Sequence, residues 1–66
     1  MATLGTRALE PFDHVQLVRD VDPVSAGTDG VIVEAGEPGV FLVEVFGDRE
    51  MVIPVSGDDL ALKRRT

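Results

Sequence analysis

The chain contains no cysteine, no tryptophan and no tyrosine, and it has a single histidine. Without cysteine there is no disulfide, no thiolate-ligated zinc and no thiol redox chemistry. Long apolar runs are also missing. None approaches the roughly 20 residues that a membrane-spanning helix needs, and the opening segment lacks the apolar core and cleavage site of a secretory signal. These absences predict a cytoplasmic protein that does not engage a membrane. Basic residues are scarce, six Lys and Arg against twelve Asp and Glu, giving a net charge of −6. That balance argues against a general nucleic-acid binder. Catalytic constellations are equally thin. Asp13 and His14 are neighbours on a strand and so point to opposite faces, and neither Ser25 nor Ser56 is placed beside the imidazole. The expectation is a protein without enzymatic activity, cofactor or metal.

What is present is a β-rich core in a short chain. Hydrophobic residues make up 44% of the 66 residues, too many for a disordered acidic tail, and the length allows one small domain. Valine recurs, with Gly, Pro and Asp punctuating the chain every eight to twelve residues, as short antiparallel strands require. Residues 1–13 read as an arm, with Leu9 and Phe12 in a short turn that covers one end of the core. Strands are predicted at residues 14–19, 31–35, 40–46 and 50–55, with a last short strand carrying Leu60 and Leu62 on one face. The expected core is Val15, Leu17, Phe41, Val43, Val45, Met51, Ile53, Val55, Leu60 and Leu62, with either Ile32 or Val33. Parity across the connection at residues 36–39 decides between those two. Gly30 is expected at positive φ where it enters the second strand. Pro54 should turn its missing N–H away from the ladder. Ser56-Gly57-Asp58-Asp59 should form one turn of 3₁₀ helix, with Ser56 accepting from a later N–H. A strand, a long loop, three hairpin-linked strands, a 3₁₀ turn and a closing strand make the order of an all-β, five-stranded SH3-like barrel. Its predicted extent is residues 14–63, followed by a tail at 64–66.

The anchor segments are Asp13-His14-Val15-Gln16-Leu17, Gly27-Thr28-Asp29-Gly30-Val31-Ile32-Val33-Glu34, Pro38-Gly39-Val40-Phe41-Leu42-Val43-Glu44-Val45 and Val55-Ser56-Gly57-Asp58-Asp59-Leu60. In these the chain resembles the DUF4926 family of small bacterial proteins, although its Gly47-Asp48-Arg49 turn is shorter than in many relatives. The resemblance implies the barrel fold and an accessory or antitoxin-like role, with no catalytic residues to carry over.

Other candidate sites fail on spacing or charge. Asp20, Asp22 and Asp29 crowd one loop, but Ser25 stands where a calcium-binding loop needs glycine and Val31 where it needs the closing glutamate. The Gly27-Thr28-Asp29-Gly30 turn resembles that of RNA-binding KOW barrels, whose loops are basic where these are acidic. Lys63-Arg64-Arg65 reads as a solvated end. One surface remains. Setting Val45 opposite Met51 places Glu44 opposite Val52, Leu42 opposite Pro54 and Phe46 opposite Glu50, all on the outer face. Leu42, Glu44, Phe46, Glu50 and Val52 are therefore the candidate contact residues, for a protein partner or a second copy, unless Leu4, Leu9 or Phe12 of the arm covers them. The functional expectation is a non-catalytic protein-interaction module, antitoxin- or immunity-like. An accessory subunit of a larger complex is the alternative, and a KOW-like RNA binder ranks behind it.

Overall fold

The computed structural model describes residues 9–47 and 50–64. Strands β1 (His14–Leu17), β2 (Asp29–Ala35), β3 (Val40–Val45) and β4 (Met51–Ser56) precede a 3₁₀ turn (Gly57–Asp59) and strand β5 (Leu60–Arg64). They form one antiparallel sheet in the order β4-β3-β2-β1-β5. The last strand pairs with the first as expected, but β4 and β5 remain at opposite ends and the ladder is not closed. The 3₁₀ turn forms where Ser56-Gly57-Asp58-Asp59 predicts it, and the Ser56 hydroxyl accepts from the Asp58 N–H at 3.2 Å.

One face carries the core: Val15, Leu17, Ile32, Val43, Val45, Val55 and Leu60 are buried, and Leu9, Val21, Val24, Phe41, Met51 and Ile53 pack against them. Phe41, Met51 and Ile53 are half-buried, short of the full burial their parity suggests. Ile32 faces inward because β2 bulges. The register passes from Ile32 opposite Val43 to Glu34 opposite Leu42, leaving Val33 as the extra residue. Had the register of Val31 and Ile32 continued unshifted, Val33 would lie opposite Leu42 and Glu34 opposite inward-facing Phe41; the bulge instead sets Glu34 opposite Leu42 on the outer face. Leu62 corrects the expected core. It shares parity with Leu60, but β5 pairs only with β1 among the described strands, and Leu62 stays 41% exposed.

Backbone bonds outside the strands fix the edges. Val18 and Arg19 lie beyond β1, with the Val18 N–H donating to Asp59 O at 2.9 Å and the Arg19 side chain 2.7 Å from Asp59 Oδ1. In the long loop, Val21 and Val24 exchange two backbone hydrogen bonds across the cis Asp22–Pro23 bond. The carboxylate of Asp20 accepts from the Ala26 N–H at 2.8 Å. At the start, residues 10–13 form a turn in which the Asp13 N–H donates to Glu10 O at 3.1 Å and buried Asp13 accepts from the Glu10 N–H at 2.9 Å. Leu9 reaches the core from this turn, whereas Phe12 is 62% exposed, against the expectation that both cover it. Phe12 has φ +75°, the left-handed region usual for glycine at the third position of such a turn.

Gly30 is needed for a reason other than the expected one. Its φ is not among the positive values, while Gly27 has φ +92°. A Cβ on Gly30 would lie 2.7 Å from Glu44 O and 2.9 Å from Val43 Cγ1, whereas one on Gly27 would meet nothing within 4 Å. Gly30→Ala should therefore cost about 3 kcal/mol, the upper end for overpacking, and Gly27→Ala about 1 kcal/mol for its left-handed backbone. Equal urea midpoints for the two variants would contradict this assignment. Phe12→Gly should raise stability by about 1 kcal/mol, because it relieves a left-handed non-glycine residue at an exposed site. A lowered melting temperature would show that the Phe12 ring supports the fold.

Candidate protein-contact surface

Alternation along the strands puts a second set of side chains on the outer face. Ladder partners align Val52, Glu44, Val31, His14 and Arg64 in one row across all five strands. Beside it run Pro54, Leu42 and Glu34. The expected pairs Val45–Met51, Glu44–Val52 and Leu42–Pro54 are all present. Phe46 and Glu50 are not a ladder pair: both lie just outside the strands, and the Phe46 N–H instead donates to Asp29 O at 2.9 Å. Asp48 and Arg49, expected in the intervening turn, fall outside the described residues.

Exposure separates the five candidate residues. Val52 is 54% and Phe46 43% exposed, and Glu50 is exposed, while Leu42 and Glu44 are half-buried. The bulge adds Val33, 37% exposed, next to Glu34. The cross-strand neighbour of Leu42 on β2 is therefore Glu34. Among the described arm residues, Leu9 packs inward and Phe12 lies in solvent, while Leu4 lies outside the described residues.

Phe46 stands between two recesses. One, about 440 Å³, lies between the long loop and the β3–β4 end, against Val24, Val45 and Met51. The other, about 370 Å³, brings His14, Asp29, Lys63 and Arg64 together over the backbone of Val15 and Gly30. This cluster is not legible in the spacing of the sequence, because it depends on a second bulge. The pairing of β1 with β5 jumps from Val15–Leu62 to His14–Arg64 and leaves Lys63 as the extra residue. Lys63 Nζ then sits 3.2 Å from Asp29 Oδ1 at the start of β2, one strand beyond β1. No set of three or more His, Cys, Asp or Glu side chains among the described residues is arranged to hold a metal ion. No helix of the described residues is long and apolar enough to cross a membrane.

No protein-family model, curated protein or solved structure matches the chain. What the surface can do is therefore argued from its own chemistry: an apolar strip of Val33, Leu42, Phe46 and Val52 interrupted and bounded by Glu34, Glu44 and Glu50. Replacing the two central phenylalanines separates core from surface. Phe41→Ala should cost about 3 kcal/mol, and Phe46→Ala under about 1 kcal/mol, measured by urea denaturation. A Phe46→Ala loss as large as that of Phe41→Ala would move Phe46 from the surface into the core.

Proposed function

We propose that the chain is a small, non-catalytic protein-interaction module of the cytoplasm, built on an SH3-like arrangement of strands. The strand order, the pairing of the last strand with the first and the 3₁₀ turn between β4 and β5 support that arrangement. The resemblance to DUF4926 favours an antitoxin- or immunity-like role, in which the chain binds and modulates one protein partner.

One observation carries the reading. Val33, Phe46 and Val52 are exposed together on the outer face, with Glu34, Glu44 and Glu50 around them. An apolar strip rimmed by charge is the composition of a contact surface, where burying the strip drives association and the rim selects the partner. Half-buried Leu42 and Val31 lie in the same two rows, beside Glu34 and Glu44. Two exposed substitutions test it without touching the core. Val33→Lys with Val52→Lys should leave the melting temperature within a few degrees, since exposed changes are nearly neutral. The pair should abolish capture of the protein that the wild-type chain enriches from its native lysate, with Glu37→Lys as the surface control. Unchanged capture by the double variant would remove the strip as the interface.

A further inference from the structure

The two edges of the sheet are chemically different. In β1, the Leu17 N–H donates to Thr28 O and the Leu17 carbonyl accepts from Gly27 N–H, so Leu17, and by alternation Val15, turn their backbone groups toward β2. The residues of β5 opposite them, Leu60 and Leu62, therefore turn theirs away from β1. The Leu60 N–H is taken by Gly57 O in the 3₁₀ turn. The Leu62 N–H and carbonyl are directed outward, to an edge that no described strand occupies. On β4 the same alternation, set by the Phe46 N–H bond to Asp29 O, directs Pro54 outward. Pro54 has no N–H to offer, as expected from the sequence.

Inboard of the open edge, from the end of β5 across β1 to β2, lies the basic recess. The bulge places Lys63 next to Arg64, and Arg64 faces His14 across the ladder. Lys63 and Asp29 neutralise each other in a half-exposed pair, which is weak in water and readily exchanged. Arg64 remains as a net positive charge on a chain whose total is −6. The other described cation, Arg19, is engaged with Asp59.

The geometry points to strand addition at β5: an extended, acidic segment of a partner protein pairs with the backbone of Leu62 and sets a carboxylate among Arg64, Lys63 and His14. Main-chain bonds supply attraction and the alternate side chains supply selection, as in other edge-binding modules. The recess, about 370 Å³, has room for such a side chain, with Phe46 as an apolar wall. A second copy is the poorer occupant. The other edge of its described sheet, β4, presents Pro54, and pairing β5 with itself gathers two Lys63-Arg64 sets on one short ribbon. The site lies at the β1–β5 side of the sheet and does not require the Val33–Val52 strip to bind anything.

The probe is an eight-residue peptide of alternating valine and glutamate, titrated into the full ¹⁵N-labelled chain. Amide shifts should concentrate at Leu62, Lys63, Arg64 and His14, and the Leu62 amide should gain protection from hydrogen exchange. Lys63→Glu with Arg64→Glu should weaken binding at least about tenfold through like-charge contacts, and added salt should weaken it in the wild type. N-methylation of alternate peptide residues should abolish binding in one methylation frame only. The proposal is overturned if the glutamate peptide does not bind, if its lysine counterpart or a single-stranded oligonucleotide binds as well, or if both methylation frames bind. It is equally overturned if the shifts fall on Val33 and Val52, a result that would leave the strip reading intact.

Discussion

The core on one face of the sheet depends on how closely β2 approaches β3. At Gly30 the backbone of β2 lies so near Glu44 that a methyl group would not fit. The missing side chain lets Val15, Ile32, Val43 and Val45 meet around the same point instead of being held apart by a fifth residue. Glycine inside a strand usually weakens it; at a close approach it is the only residue that allows the contact. The rest of the core is arranged around this point. Val21 and Val24 reach in from a loop tied by its own pair of backbone bonds, and Leu9 comes from a turn held by buried Asp13. In a chain with no disulfide, these side chains from outside the sheet take the place of a second layer.

Elements with strict two-residue alternation were legible in the sequence. The β3–β4 register follows from pairing Val45 with Met51, and the outward position of Pro54 follows from proline chemistry alone. Ser56 announces the 3₁₀ turn because its hydroxyl can stand in for a backbone acceptor. The two bulges were not legible. An extra residue at Val33 or Lys63 leaves no mark in composition or periodicity, yet each reverses which face the following side chains occupy. The ambiguity between Ile32 and Val33 was the trace of the first bulge. The second had no trace, and with it went the basic recess, whose residues come from β1, β2, the end of β3 and β5. Leu62 and Gly30 depart from their sequence patterns for a related reason. Exposure at a sheet edge and crowding between strands are tertiary facts, and local patterns record only parity and backbone preference.

The charge distribution has the same division. Carboxylates stand on the outer face beside apolar side chains at Glu34 and Glu44, and in the loops where Asp20 and Asp59 serve as acceptors or ion-pair partners. Of the acids that resemble a ligand cluster in the linear sequence, Asp20 holds its loop through the Ala26 N–H and Asp29 pairs with Lys63. Arg64 lies beside that pair in one recess, and Phe46 lines this recess and the apolar one next to it.

Pro54 has a further consequence for solubility. A sheet with two receptive edges is a monomer unit for a fibre, since each copy can accept one neighbour and offer itself to the next. Growth of that kind needs both edges. With proline set into β4, a copy stacked onto β5 presents a blunt side outward, and the second addition lacks the bond that the first could make. Edge-to-edge growth through β4 therefore lacks one N–H bond at Pro54, which disfavours the addition of a further copy on that side.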